Sequence, residues 1–186
     1  TEQSQPEWRY WQARALQQLG DNQSATAAYG QAAQQRDFFG FLAADRIGGD
    51  YHTDHQPVLV DTTELQNMAI RPAFQAVSEW RVLGRNSEAR AEWNYALKRL
   101  PDRDVLVAAK LAQNWGWHSM AIATAARAGS WDDLSLRFPM AYENAVLRHS
   151  DRQSLDPGMV YGLIRQESAF DPDAEWSLFD LVQMQD

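Results

Sequence analysis

Two stretches of this chain repeat, and the repeat narrows the possible folds more than any other feature. LGDNQSATAAYGQA (19–32) and LGRNSEARAEWNYA (83–96) align without a gap, matching Leu19/Leu83, Gly20/Gly84, Asn22/Asn86, Ala25/Ala89, Ala27/Ala91 and Ala32/Ala96, with Tyr29 opposite Trp93. A shorter copy, GWHSMAIATA (116–125), keeps Gly116, Ala121 and Ala123 at the same offsets. Glycine permits the turn between two helices, and small alanines let neighbouring helices approach closely. Units of this kind bury their faces by stacking on one another.

The punctuation agrees with helices throughout. Pro6 suits the start and Gly20 the end of PEWRYWQARALQQL. Pro72 opens PAFQAVSEWRVL and Gly84 closes it; Asn86 and Ser87 offer caps for EARAEWNYALKRL, which Pro101 stops. The one β-like run is PVLV (57–60), set in a loop rich in His and Asp. From Trp131 the repeat is lost, and a helix, a break at Pro139 and another helix follow. SDRQSLDPGM (150–159) is a polar link and the expected domain boundary, after which Asp156 as N-cap and Pro157 at the first helical position start a last helix. The expected fold is all-α: an α-superhelix of helical pairs, similar to tetratricopeptide-like repeats, in which Trp and Tyr are mainly core.

Charge and composition remove several function classes. A net charge of −8 leaves no basic stripe to neutralise phosphates, so nucleic acid is not an expected partner. There is no Cys, which removes disulfides, thiolate chemistry and Cys-based zinc sites. No run approaches the ~18 apolar residues of a membrane span. The chain opens on TEQSQPEW, without Met or a signal-peptide pattern, and is expected to be a processed or trimmed product.

Among the four His, only His52 and His55, with Asp54 between them, lie close in sequence. Without a clear third ligand they read as solvated loop residues, and no metal is expected. No P-loop and no G-x-S-x-G is present. Glu167 is the odd residue. On a 3.6-residue period it shares a face with Val160, Leu163 and Ile164, so a carboxylate is aimed at an apolar stripe. A buried carboxyl stays protonated more readily and can serve as a general acid; a Glu at a helix end can also simply bend out to solvent. Asp171 and Asp173 flank Pro172 and read as turn formers rather than as a second catalytic carboxylate.

Four features together resemble the soluble lytic transglycosylases that cleave peptidoglycan. RDFFGFLAADRIG (36–48) looks like the family's aromatic–Gly–Leu–Ala–Ala–x–Arg helix. WDDLSLRFPMAY (131–142) looks like the junction upstream of its catalytic domain, VYGLIRQESAFDPDA (160–174) matches the opening of that domain, and the helix pairs match its superhelical body.

The resemblance implies a superhelical domain over 1–152 and the start of a lysozyme-like catalytic domain over 153–186, incomplete in this chain. It implies Glu167 as the sole catalytic acid/base, with Ser168, Met184 and Gln185 against the substrate. Glu167 would protonate the glycosidic oxygen between N-acetylmuramic acid and N-acetylglucosamine, then take the proton of the muramoyl 6-hydroxyl as it closes a 1,6-anhydro ring. No cofactor is implied; peptidoglycan strands and other cell-wall enzymes are the implied partners, and the periplasm the compartment. One departure stands out, in that Phe179 and Val182 fall where the family carries glycines. The competing reading is a non-enzymatic helical-repeat module that binds a protein or peptide partner, with Glu167 structural.

Overall fold

The computed structural model describes residues 5–174, which form eleven helices. By packing they fall into two compact units, one up to His55 and one from Gln56 onward.

The first unit holds α1 (Pro6–Gln18), α2 (Asn22–Ala32) and α3 (Phe38–Ile47). Tyr10, Ala13, Ala25, Ala28, Tyr29, Ala32, Ala43 and Ala44 make its core. Asp37 caps α3 by accepting from the Gly40 amide at 2.7 Å. Gly40 itself is a steric requirement, because a Cβ built there would lie 2.0 Å from the Gln35 carbonyl oxygen.

The second unit contains α4 (Thr62–Ala69), α5 (Pro72–Val82), α6 (Asn86–Leu97), α7 (Asp102–Asn114), α8 (His118–Arg127), α9 (Leu134–Arg137), α10 (Glu143–Gln153) and α11 (Pro157–Glu167). Its main core is built around Trp93, which is fully buried and donates from Nε1 to Thr124 Oγ1 at 3.0 Å. The Trp93 ring meets Phe74, Trp117 and Trp115 at centroid separations of 5.0, 5.6 and 6.0 Å. No residue of PVLV is in a strand; Val58 and Val60 pack on this core from a loop.

The repeat corresponds to one turn built three times. Gly20, Gly84 and Gly116 have φ of +84°, +70° and +67°, a region open to glycine. The amide after each glycine reaches back to a carbonyl of the preceding helix: Asp21 to Leu16 at 3.0 Å, Arg85 to Trp80 at 2.8 Å, Trp117 to Ala112 at 2.9 Å. Gly48 and Gly129, with φ +63° and +67° and the amides of Gly49 and Ser130 bonded to the Ala44 and Ala125 carbonyls at 3.0 Å, make the same turn without any matching sequence. Of the repeated alanines, Ala25, Ala89 and Ala121 are buried as close-approach positions should be. Ala27, Ala91 and Ala123 are exposed and serve only helix propensity.

Local start signals are partly as expected. Pro6, Pro72 and Pro157 each open a helix. Asn86, however, is the first residue of α6, and its N-cap Arg85 makes no side-chain cap bond. The polar link is shorter than 150–159: α10 runs to Gln153 and α11 begins at Pro157, leaving three residues between them.

Among the described residues, Asp133 is the buried charge of the second unit. It caps α9 by accepting from the Leu136 amide at 3.1 Å, takes the Val58 amide at 2.8 Å, and lies 2.7 Å from Lys110 Nζ of α7. Burial alone would raise its pKa. Lys110, the Ser135 hydroxyl and the Val58 and Leu136 amides outweigh that effect and hold it down to about 2.

Two outcomes follow. Asp133→Ala should destabilise the second unit by roughly 3–5 kcal/mol, because Lys110 is left without its partner. Since the folded pKa is depressed from 3.8 to about 2, the Asp133 contribution is complete above about pH 4 and is lost as pH falls toward 2. Denaturant titrations across that range should show a steeper decline for the parent than for Asp133→Asn. In the first unit, Gly40→Ala should lower the thermal midpoint by several degrees, equivalent to about 1–3 kcal/mol, because backbone rather than a flexible side chain meets the added methyl.

Candidate functional site

The site centres on α11. Asp156 accepts from the Met159 amide at 2.9 Å and Pro157 sets the first turn, so the helix begins where the sequence places it. Tyr161 is buried, while Val160 and Ile164 are half-buried, against Ile122 of α8, Ala141, Val146 of α10 and Phe170.

That packing face decides where Glu167 points. At about 100° per residue, Glu167 lies roughly 60° round from Ile164 and 120° from Tyr161, beside Leu163. Leu163 is 60% exposed, and Glu167, the last residue of the helix, is exposed too. The expected burial of the acid in a core stripe is therefore not found. The buried face centres on Tyr161 and Ile164, and both Leu163 and Glu167 sit on its flank.

Ser168 caps the helix, with its Oγ donating to the Ile164 carbonyl at 3.1 Å. The chain then reverses through Ala169 and Phe170 at φ +49° and +63°. Left-handed backbone costs about 1–2 kcal/mol at each non-glycine residue. Three contacts hold this turn. Phe170 is 3% exposed, its ring 6.1 Å from Tyr161 and 6.5 Å from His118. Asp171 pairs with Arg90 of α6, and Asp173 accepts from Asn86 Nδ2 at 2.6 Å. Asp173 N also donates to Asp171 Oδ1 at 3.3 Å, so the two aspartates do shape the Pro172 turn, but they anchor it as well. Their partners lie 81 and 87 residues away in sequence, out of reach of any local reading.

Two cavities border the turn. A polar one of about 130 Å³ is lined by Arg81, His118, Tyr142 and Asp171 among others. The buried His118 Nδ1 has no partner there, and burial holds the imidazole below its ordinary pKa. The other, of about 330 Å³, lies between Phe138–Met140 and the Gly158, Tyr161, Gly162 and Arg165 side of α11. Glu167 lines neither.

Met184 and Gln185 lie outside the described residues. His52 Nε2 is 2.6 Å from Asp54 Oδ1 on an exposed loop, and no group of three or more His, Asp or Glu able to hold a metal occurs among the described residues. No helix there is long and apolar enough to cross a membrane.

Comparison with known proteins places this architecture. Residues 67–134 match the model of the soluble lytic murein transglycosylase L domain. The lytic transglycosylase Slt of Pseudomonas aeruginosa, solved as an inactive mutant, superposes with a TM-score of 0.74 at 34% identity, over 93% of this chain and 28% of that one. The chain belongs to the soluble lytic transglycosylase family. The soluble lytic murein transglycosylase of Escherichia coli K12 is 32% identical over 168 residues, 89% of this chain and 25% of the relative. The crystal structure of the 70 kDa enzyme from Escherichia coli aligns with a TM-score of 0.79 at 27% identity, over 95% of this chain and 28% of that one. This chain thus spans about a quarter of the length of the relatives it matches. The all-α architecture of helical pairs is the family's. Glu167 and Ser168 lie outside the range of the L-domain match.

The strained turn offers a direct check. Ala169→Gly should raise stability by about 0.5–1 kcal/mol, because glycine adopts the left-handed φ without the Cβ penalty. An unchanged or lowered midpoint in chemical denaturation would show that the turn is relaxed.

Proposed function

We propose that this chain supplies the repeat body, over 1–152, and the opening of the catalytic domain, over 153–186, of a periplasmic enzyme that cleaves peptidoglycan. The reaction is lytic transglycosylation, a lyase reaction: cleavage of the β-1,4 bond between N-acetylmuramic acid and N-acetylglucosamine with formation of a 1,6-anhydromuramoyl end. The supporting observation is the family match over nine-tenths of the chain, joined to a Glu at the exposed end of a well-capped helix.

Glu167 is the acid/base in this reading. In its protonated form it gives a proton to the glycosidic oxygen as the C1–O bond breaks. The carboxylate so formed takes the proton of the 6-hydroxyl, whose oxygen bonds to C1 and closes the ring. The proton balance closes on one residue, and the internal nucleophile removes the need for a second carboxylate. Glu167 is exposed in this chain. A carboxyl donor works best when burial favours its neutral form, so glycan lying over Glu167 and the exposed Leu163 would supply the cover. Ser168, tied to Ile164, keeps the helix end in place, and Met184 and Gln185 complete the substrate contacts. Other cell-wall enzymes are partners that the repeat body would meet.

The exposure of Glu167 also favours a second reading, a helical-repeat binding module without activity of its own. One experiment separates the two. Purified sacculi are incubated with a chimera in which residues 1–174 replace the matching part of the Escherichia coli enzyme, and with the same chimera carrying Glu167→Gln. Mass spectrometry should find 1,6-anhydromuramoyl ends with the first and at least about a hundredfold fewer with the second. A folded chimera that yields none, or a Gln variant that yields as many, defeats the enzymatic assignment.

A further inference from the structure

The turn after α11 is gripped by a helix of the repeat body, and the chemistry of the proposed cleavage gives that grip no role. Asn86 and Arg90 stand four residues apart on α6 and so share one face of it. Asn86 Nδ2 donates to Asp173 at 2.6 Å, and Arg90 pairs with Asp171. The side chains of that pair are 33% and 18% exposed, so solvent screens it only in part. Arg90 is itself backed by the main core. Its guanidinium carbon lies 5.7 Å from the ring of buried Trp117, which meets Trp93 at 5.6 Å.

Other holds on this end of α11 are few. The helix buries Tyr161, well before Glu167, and Arg165 ties another side by donating from Nε to the Arg137 carbonyl at 2.8 Å. Phe170 plugs the turn, but a polar cavity of about 130 Å³ lies beside it, lined by His118, Asp171 and Asp173 among others. The backbone favours release, since Ala169 and Phe170 are both left-handed and neither is glycine. The Ser168 amide donates to the Ile164 carbonyl at 3.1 Å and the Asp171 amide to the Ser168 carbonyl at 3.0 Å. Letting go of Asp171 therefore frees the bonds that close α11, and a helix end without such bonds frays.

We propose that Arg90 and Asn86 are positioning residues for Glu167. They act through Asp171 and Asp173, fixing the helix end from which Glu167 delivers its proton, so the repeat body sets the geometry of the acid. This inference rests on Glu167 as the acid/base of the proposed cleavage. Misplacing a reacting group by about 1 Å costs on the order of a hundredfold in rate. Neither α6 residue touches the substrate in this arrangement, so their loss falls on kcat and leaves KM close to the parent's.

Two measurements test it. In this chain, hydrogen exchange followed by mass spectrometry reads the turn without any catalysis. Arg90→Gln should speed exchange of the amides of 168–174 at least about tenfold and leave those of α5 and α7 unchanged. In the chimera with the Escherichia coli enzyme, soluble glycan strands serve as substrate, at a temperature where circular dichroism shows each variant folded. There Arg90→Gln should lower kcat by roughly 10–100-fold while KM stays within about twofold. Arg103→Gln, which breaks the ion pair with Glu64 and does not touch the turn, should keep the parent's kcat. Arg90→Gln combined with Asp171→Asn should lose no more than the worse single variant, because both changes remove one interaction. Unchanged exchange, an unchanged kcat, a loss confined to KM, or additive losses in the double variant each overturn the positioning role. If Arg90→Gln keeps its kcat while Glu167→Gln loses activity, the positioning role fails and the assignment of Glu167 stands. A Glu167→Gln chimera as active as its parent defeats that assignment, and the positioning role with it.

Discussion

A single buried carboxylate organises the second unit. Asp133 draws the 56–60 loop, α7 and the start of α9 to one point through Val58, Lys110 and Leu136. Removing a charge from water is costly, and only this full set of donors makes its burial tolerable. Because α9 is seated this way, Leu136 enters the main core and the chain leaves α9 at Phe138 and Pro139, along one side of α11. The position of the candidate site therefore derives from a charge pair that takes no part in its chemistry.

Strain and anchorage balance at the other end of α11. Two consecutive left-handed residues without a glycine persist because Phe170 is buried and because Asp171 and Asp173 are held by α6. The turn fixes the helix end that carries Glu167 and leaves that carboxylate facing outward. Under the proposed assignment of Glu167 as general acid, which needs apolar surroundings at the moment of proton transfer, the exposed neighbour Leu163 would supply one side of them. On another side of α11, Arg165, Gly162 and Gly158 border a separate cavity with Phe138 and Phe170. One helix thus presents two chemically different faces.

Much of the fold is legible without coordinates, and the reason is locality. The turn glycines, the prolines at helix starts and Asp156 as a cap act over three or four residues, so their signals survive in any context. The family resemblance rests on short contiguous motifs and is equally visible. The alanine matches are less informative, because Ala27, Ala91 and Ala123 repeat in sequence yet face solvent. The further turns, at Gly48 and Gly129, escaped the repeat because their conformation recurs without its flanking residues.

By itself the sequence determined an all-α chain of helical pairs, the start of α11, and the membership that makes Glu167 the residue to test. Tertiary structure alone decided that Glu167 is exposed, that Asp133 is the buried charge, and that Asp171 and Asp173 grip Arg90 and Asn86. Helical periodicity says which residues share a face, but not which part of that face meets a neighbour. That choice belongs to packing among segments tens of residues apart, where burial, charge and steric fit are settled together.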